Sequence, residues 1–331
     1  MVILLVRATA MAAEPGGPAT CASCHRAEAG SQPASAMAHA IQLPGEQETL
    51  KSHPKLTLQE NGYTYTIERQ GGRSMYTVSD GTSQLTLPIE YDFGAHMQTF
   101  VFQYEGKFYE SLVSYYPRLD ALNITLGDEQ LRPANLVEAM GREMPDRETK
   151  ICFGCHGTGA VGEGGVNLAQ LKPGVTCTHC HVNADAHMQA AVAGKLTPLP
   201  PRLGQLDAED MSQFCGQCHR TWEEIVRLRE WGDVNVRFAP YRLANSQCFL
   251  GDDKRIRCTA CHDPHAGLDR DAASYDRACL ACHASKPRKS CPVSQNRCVS
   301  CHMPQVTLSD GHAVFTDHQI RIVHPGDGYP N

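Results

Sequence analysis

Short stretches within residues 56–118 alternate polar and apolar side chains with the two-residue period of β-strands. They are rich in β-branched and aromatic residues, which favour strands. They lie at residues 63–67, 75–78, 85–87, 99–102 and 108–116. Glycine-containing pairs such as Asn61-Gly62 and Asp80-Gly81 separate them as turns. We therefore predict one small antiparallel sheet of four to six strands, which serves as a scaffold or as a docking surface.

Helical patterns are confined to short segments. Residues 207–231 have one, with Asp207 as the predicted N-cap, and residues 133–141 predict another helix. The apolar run at residues 2–6 is shorter than the core of a signal peptide, and no other run approaches the roughly 18 apolar residues of a membrane helix. Residues 1–13 are interpreted either as a truncated signal peptide or as ordinary N-terminal sequence.

Composition adds one anomaly to this picture. The chain has 331 residues, a hydrophobic fraction of 41% and a net charge of -6, which gives no indication of a nucleic-acid partner. It also has 16 cysteines, too many to leave as free thiols. Disulfides, zinc, iron–sulfur clusters and haem are the groups that could bind them.

Fourteen of the cysteines occur in seven Cys-x-x-Cys-His motifs. The motifs are Cys21/Cys24/His25, Cys152/Cys155/His156, Cys177/Cys180/His181, Cys215/Cys218/His219, Cys258/Cys261/His262, Cys279/Cys282/His283 and Cys298/Cys301/His302. Positions i, i+3 and i+4 of a helical turn share one face, so two thiols can bond to the haem vinyl groups while the imidazole reaches the iron. Zinc ribbons and thioredoxin-like dithiols also use Cys-x-x-Cys, but neither requires the following histidine. We predict seven covalently bound haem c groups with the motif histidines as proximal iron ligands.

Nine histidines lie outside the motifs, and seven haems with two histidine ligands each require seven of them. His179 is discounted because it lies inside a motif, and His96 and His324 are left undecided. The predicted distal ligands are His39, His53, His187, His265, His312 and His318. This near match predicts low-spin haems with two histidine ligands. The pattern assigns no distal histidine to a particular haem.

Cys248 and Cys291 are the two cysteines outside the motifs. A disulfide between them is expected in an oxidising compartment. A thiolate axial ligand and free thiols are the alternatives.

Six of the seven motifs fall within residues 152–302, which is too short a stretch for an ordinary side-chain core. The porphyrins are therefore expected to form the core. The predicted fold is mostly α and irregular, a haem-packed cytochrome domain with an inserted small antiparallel β-sheet domain. Its predicted parts are an N-terminal haem segment at 14–55, a β-rich insert with a helical linker at 56–150, and a six-haem domain at 151–331.

With these motifs in view, the chain resembles exported multihaem c-type cytochromes of the cytochrome c554 type, and is similar to the related decahaem electron-transfer subunits. The resemblance rests on the seven motifs, on Cys258-x-x-Cys-His-Asp-Pro-His265, and on Cys-His-Met-Pro followed by Thr-Asp-His-x-Ile-Arg within residues 298–321. The segment from Cys21 to His39 and the strand-rich insert are also similar. The resemblance implies bis-histidine haems in close stacked and perpendicular pairs, and periplasmic electron transfer.

Three functions follow as hypotheses. The first is an electron carrier between redox partners, such as a quinol-linked dehydrogenase and a terminal reductase. The second is an enzyme that reduces or oxidises a small nitrogen or sulfur species at one haem with an open coordination position. The third is a subunit of a filament or of a larger, membrane-associated reductase complex. No phosphate-binding loop or dinucleotide fingerprint occurs in the sequence.

Overall fold

The computed structural model describes residues 21–95, 97–195, 197–250, 254–284, 291–308 and 310–330. The segment interpreted as a signal peptide, residues 1–13, lies outside the described residues, and so does His96. Within the described residues, no helix combines the length and the apolar character needed to cross a membrane.

The first sheet is an antiparallel meander of four strands in chain order. Its strands are β2 (Lys55–Glu60), β3 (Tyr63–Gln70), β4 (Arg73–Ser79) and β5 (Gln84–Pro88). The turn between β2 and β3 places Asn61 and Gly62 in the left-handed region, with φ of 51° and 84°. These two residue types tolerate that conformation, which is the one a two-residue hairpin requires.

The second sheet has six antiparallel strands, β1 (Ile41–Gln42), β6 (Tyr91–Phe93), β7 (Gln98–Tyr104), β8 (Lys107–Tyr116), β9 (Ala121–Ile124) and β10 (Gly141–Glu143). Their order is β1-β6-β7-β8-β10, and β9 also pairs with β8. The chain changes sheet within two residues, because the Ile89 N–H donates to Ser74 in β4 at 2.9 Å and the Glu90 N–H donates to Val101 in β7 at 3.0 Å. The prediction of a single sheet is therefore wrong.

The main hydrophobic core contains side chains from both sheets. Tyr65, Ile67 and Tyr76 come from the first sheet, and Phe100 and Phe102 come from the second. All five are at most 1% exposed, and the Tyr76 ring stacks on Phe102 with 5.1 Å between centroids. Contact between the two sheets therefore provides the hydrophobic burial that stabilises this part of the chain.

The rest of the chain consists of short helices and two-stranded hairpins. The helices are α1 (Arg26–Ser31), α2 (Glu48–Ser52), α3 (Leu136–Met140), α4 (Asp146–His156), α5 (Cys177–Cys180), α6 (Ala184–Val192), α7 (Ala208–His219), α8 (Trp222–Leu228), α9 (Ala239–Ala244), α10 (Gln247–Leu250), α11 (Cys258–Cys261), α12 (Asp276–His283) and α13 (Val299–His302). Helical turns of the 3-10 type lie at Gln32–Ala34, Ala36–His39, Leu168–Gln170, Leu203–Gln205, Asp233–Arg237 and Ala272–Tyr275. The remaining strands are β11 (Gly157–Thr158), β12 (Val161–Gly162), β13 (Gly165–Val166), β14 (Lys172–Pro173), β15 (Gln305–Leu308) and β16 (Ala313–Thr316).

The helix predicted at residues 207–231 is two helices. Asp207 is the N-cap of α7, as predicted, and its carboxylate accepts the Asp210 N–H at 3.0 Å. Arg220 then takes a φ of 58°, which ends α7, and Thr221 begins α8 with a capping box that includes Glu224. The helix predicted at residues 133–141 is the shorter α3.

Buried hydrophobic residues are concentrated in the first half of the chain. Of the thirty such residues in the described part of the chain, twenty-one lie between Ile41 and Met144 and nine between Phe153 and Leu308. Exposed large hydrophobic residues show the opposite distribution, with eleven of fifteen between Ile151 and Ile322. The region that carries six motifs thus has little side-chain core of its own among the described residues.

Candidate haem-binding sites

Each of the seven motifs forms a helical turn. The motif histidine N–H donates to the carbonyl of the first motif cysteine at 2.8 Å in His25, 2.9 Å in His181 and His262, and 3.0 Å in His302. The second, fourth and sixth motifs form the last turns of α4, α7 and α12. These turns bring two sulfurs and one imidazole to the same side of the backbone, which is the arrangement that covalent haem attachment requires.

All sixteen cysteines lie within the described residues, and all are free of disulfides. The expected disulfide between Cys248 and Cys291 is therefore not formed. Cys248 is partly buried close to Cys279 and Cys282 of the sixth motif. Cys291 is exposed, and hydrogen bonds from the Ser294 and Val293 backbone lower the pKa of its thiol. The two sulfurs thus face different neighbours.

Cysteine side chains of different motifs lie close together. In four pairs a cysteine of one motif shifts the pKa of a thiol in another motif, namely Cys177 with Cys21, Cys218 with Cys155, Cys258 with Cys215, and Cys298 with Cys279. Electrostatic interactions of Cys180 with Cys215 and of Cys261 with Cys279 link the remaining neighbours. The seven motifs are thereby connected in the order first, third, fourth, fifth, sixth and seventh, and the second contacts the fourth.

Four predicted haem-attachment cysteines take no part in these approaches between motifs, namely Cys24, Cys152, Cys282 and Cys301. Cys152 and Cys282 are partly buried, and Cys24 and Cys301 are exposed. Within their own motifs, the Cys24 N–H donates to the Cys21 carbonyl at 3.1 Å and the Cys301 N–H donates to the Cys298 carbonyl at 3.2 Å. The Cys24 sulfur also accepts a hydrogen bond from the Ser23 hydroxyl at 3.9 Å. Attachment to haem stays a prediction from the motif spacing for all fourteen motif cysteines.

Two pairs of imidazoles face each other at a spacing that fits one metal ion between them. The ring centroids of His181 and His265 are 6.0 Å apart with an interplanar angle of 5°. Those of His262 and His318 are 6.1 Å apart at 45°. A metal–imidazole bond is about 2 Å long, so two imidazoles on opposite sides of one metal ion have centroids about 6 Å apart. Each pair joins a motif histidine to a predicted distal ligand.

Besides His53, four imidazoles are oriented by a hydrogen bond from Nδ1 to a backbone carbonyl. The pairs are His156 with Ala40 at 2.7 Å, His187 with Pro198 at 3.1 Å, His302 with Arg321 at 2.9 Å, and His318 with Thr316 at 3.0 Å. A carbonyl only accepts hydrogen bonds, so in the neutral ring Nδ1 carries the hydrogen and Nε2 presents its lone pair. Bonds of this kind fix the tautomer and orientation of metal-binding histidines.

Burial favours the neutral form of five imidazoles, those of His156, His181, His219, His262 and His318. Desolvation lowers the pKa of His156, His219 and His262 below the ordinary histidine value, and it lowers the pKa of His318 to about 4. The pKa of His181 is lowered by desolvation and by the neighbouring His265. Only the unprotonated imidazole nitrogen binds a metal ion, so at neutral pH these groups are in the form that coordinates iron.

Two predicted distal ligands contact other protein groups instead of a motif. The ring nitrogens of His53 lie 2.9 Å from the Thr49 carbonyl and 3.0 Å from the Asp120 carboxylate. The Nε2 atom of His312 accepts a hydrogen bond from the Asn123 amide at 2.8 Å. Their roles as distal ligands stay predictions, without a motif beside them.

The other non-motif histidines have varied surroundings. His39 is exposed and lies in the wall of a cavity of about 540 Å³, together with Leu268 and Arg270. His187 is half-buried in α6, and His324 is exposed in the C-terminal segment. His39 and His187 therefore remain predicted ligands of unassigned haems, and His324 remains undecided.

An ionic cluster lies behind the second motif. The Arg142 guanidinium donates to Glu148 at 2.7 Å and also pairs with Glu110. Burial, followed by the charges of Glu110 and Glu148, raises the pKa of the Cys152 thiol to about 12. Burial, followed by repulsion from Glu110, raises the pKa of Asp128 to about 6. Asp128 is 9% exposed and its Oδ2 has no hydrogen-bond partner.

We expect Asp128→Asn to stabilise the protein at pH 7 and to have little effect at pH 4. The folded-state pKa of about 6 lies above the unfolded value of 3.8, so the carboxylate opposes folding above pH 6. This penalty disappears as the pH falls through 6 toward 3.8. At pH 7 the variant should gain about 2 kcal/mol in free energy of unfolding, measured by chemical denaturation.

Asp120→Asn is the control of opposite sign for this pH effect. Hydrogen bonds from Tyr115 and His53 lower the pKa of Asp120, so its carboxylate favours the folded state at neutral pH. We expect that substitution to destabilise the protein at pH 7. Equal gains for Asp128→Asn at pH 7 and pH 4 would show that its effect is not electrostatic.

The donor set fits covalent haem. Each motif offers two thiols and one imidazole on one turn, and a second imidazole faces the motif histidine at two motifs. A haem iron takes only its two axial ligands from the protein. Groups of three or more His, Cys, Asp or Glu side chains able to hold a metal ion do not occur among the described residues.

Sequence reasoning missed the residues that hold these imidazoles. The carbonyls of Ala40 and Arg321, which accept from His156 and His302, carry no side-chain signal. Arg242, buried against Asp317, also escaped notice, although Asp317 is part of the Thr-Asp-His-x-Ile-Arg segment. Of the residues that hold these imidazoles, only those in the Thr-Asp-His-x-Ile-Arg segment could have been noticed in the sequence.

One family model matches part of the chain. Residues 127–182 match the model of the family described as cytochrome c554 and c-prime, and this stretch contains the second and third motifs. Among solved structures, the chain is similar to the one titled "Crystal Structure of Outer Cell Wall Cytochrome OcwA", at 18% sequence identity and a TM-score of 0.34. The similarity covers 61% of this chain and 36% of that chain, so our chain spans about a third of its length. Curated proteins yield no match. The family match supports a multihaem c-type cytochrome with covalently bound haem, which fits an extracytoplasmic protein.

Proposed function

We propose that this chain is a periplasmic seven-haem c-type cytochrome that relays electrons between redox partners, such as a quinol-linked dehydrogenase and a terminal reductase. The contact of motif with motif is the observation that carries the proposal. Close approaches of cysteine side chains link all seven motifs, and the fourth motif lies beside the second, third and fifth. Haem bound at these motifs supplies the one-electron redox chemistry.

The side chains have distinct tasks in this proposal. The motif thiols hold the cofactors covalently, and the motif imidazoles supply the proximal ligands. His265 supplies the distal ligand at the third motif and His318 supplies it at the fifth, because these imidazoles face His181 and His262 at 6.0 and 6.1 Å. Lowered pKa values keep the imidazoles of His181, His262 and His318 unprotonated, since desolvation disfavours the charged form.

The distribution of buried residues also supports a haem-packed domain. Only nine of the thirty described buried hydrophobic residues lie in the part of the chain that carries six motifs. A region of this length ordinarily needs a larger apolar core to fold. Porphyrins packed against exposed residues such as Trp222 and Val226 of α8 would supply that apolar contact.

A second candidate is an enzyme acting on a small nitrogen or sulfur species at one open haem. The contacts of His53 and His312 favour it, because both use ring nitrogens for protein partners. Without these two and His179, six non-motif histidines remain for seven irons. One iron would then lack a second imidazole.

Carbon monoxide binding to the fully reduced protein separates the two functions. We expect a pyridine haemochrome assay to give seven haems per chain and the difference spectrum to show no carbon monoxide adduct. In the proposed electron relay every haem iron has two protein ligands, so carbon monoxide should find no free position. An adduct equivalent to about one haem in seven would replace the relay by the enzyme as the better proposal.

A further inference from the structure

A buried ion pair adjoins the distal ligand proposed for the fifth motif. Arg242 in α9 is 1% exposed and Asp317 is fully buried. The guanidinium donates from Nε to one carboxylate oxygen at 2.8 Å and from Nη2 to the other at 3.0 Å. This two-point contact fixes the angle between the two groups as well as their distance.

The remaining hydrogen-bonding positions of the pair are also used. Arg242 donates further to Gln319 Oε1 at 2.7 Å, to the Pro330 carbonyl at 2.9 Å and to Asn235 Oδ1 at 3.3 Å. The Arg321 guanidinium donates to Asp317 Oδ2 at 2.6 Å, and the Gln319 N–H donates to Oδ1 at 3.0 Å. Arg242 thus joins α9 to both the Asp317–Gln319 segment and the C-terminal segment.

His318 lies between the anchored residues. Its carbonyl accepts a hydrogen bond from the Ser246 hydroxyl at 3.0 Å, and the same hydroxyl accepts the Ile320 N–H at 2.8 Å. The His318 Nδ1 is held by the Thr316 carbonyl, and its ring faces His262. The backbone is therefore fixed on both sides of the imidazole, which sets the direction in which Nε2 points.

We propose that Arg242 is a positioning residue that aims His318, through Asp317, at the iron of the fifth-motif haem. The inference rests on the proposed function, because it takes His318 as a distal ligand. A buried ion pair is weak evidence of stabilisation, since well-packed apolar side chains of similar volume are often as stable. Its directional contacts suit the placement of a ligand.

The test compares Arg242→Met/Asp317→Leu, Arg242→Lys and His318→Ala in the full seven-haem protein. Apolar replacement of both partners removes the two fully buried charges together, while Arg321 loses its carboxylate partner but keeps its hydrogen bond to the Gln319 carbonyl. Arg242→Lys keeps the charge but loses the two-point contact. We expect His318→Ala to form a carbon monoxide adduct at about one haem in seven, with a matching low-spin to high-spin change in the electron paramagnetic resonance spectrum. The double variant should show the same change, and Arg242→Lys a fraction of it.

The control is Arg132→Met, because Arg132 is exposed and donates to the neighbouring Glu129 and Leu131 carbonyls. It should leave the spectra unchanged. The inference would be overturned if both Arg242 variants retain seven haems and show unchanged spectra while His318→Ala opens an iron. If His318→Ala opens no iron, the proposed ligand pair is itself wrong. If the double variant fails to retain haem, the spectra of Arg242→Lys alone test whether Arg242 positions His318.

Discussion

A His265→Ala variant should form a carbon monoxide adduct at one more haem in seven than the unmodified protein, with an equivalent low-spin to high-spin conversion. His265 faces the third-motif His181 with 6.0 Å between ring centroids and nearly parallel planes. Removal of this imidazole deprives that iron of its second protein ligand, which leaves a position for an added ligand. The haem itself stays attached, because Cys177 and Cys180 are unchanged.

The matched control for this experiment is His53→Ala. His53 is also a non-motif histidine, but its ring nitrogens contact Thr49 and Asp120. Its removal should lower the free energy of unfolding through the loss of those hydrogen bonds, and it should leave the ligands of every iron in place. If His53→Ala opens an iron and His265→Ala does not, both the imidazole pairing and the interpretation of the His53 contacts are wrong.

Features fixed by neighbouring residues could be predicted from the sequence. The helical turns of the motifs depend on a hydrogen bond between residues four apart, as in His262 with Cys258. The N-cap at Asp207 depends on a residue three positions later, and the β2–β3 turn depends on Asn61-Gly62. Each is a local backbone requirement that particular residue types satisfy.

Features that join distant segments could not be predicted in this way. His181 and His265 are 84 positions apart, and no periodic pattern relates them. The division of the strands into two sheets is decided between Ile89 and Glu90, where alternation continues without a visible break in the pattern. The same limitation explains why a disulfide was predicted for Cys248. Counting cysteines does not show that Cys248 lies beside Cys279.

The first motif is held to the third by a close backbone approach at Gly174. The Val175 N–H donates to the Met37 carbonyl at 2.9 Å, and the Gln32 side chain donates to the Val175 carbonyl at 2.6 Å. Gly174 has a φ of 74°, and a Cβ added there would clash with the Ala38 carbonyl oxygen and lie 2.6 Å from its carbon. Backbone atoms on both sides leave no flexible side chain that could move away. Only glycine fits at this position.

We therefore expect Gly174→Ala to lower the free energy of unfolding by at least about 3 kcal/mol, from backbone strain and from separation of the segments. Gly194→Ala is the matched control, because Gly194 has a similar φ of 71° but no atom within 4 Å of the added Cβ. It should cost about 1 kcal/mol, the strain alone. The measurement is denaturant unfolding of both variants, with the haem content checked first. Equal losses would mean that Gly174 provides only a turn conformation. A larger loss for Gly174→Ala would show that the approach of Ala38 holds the N-terminal haem segment against the third motif.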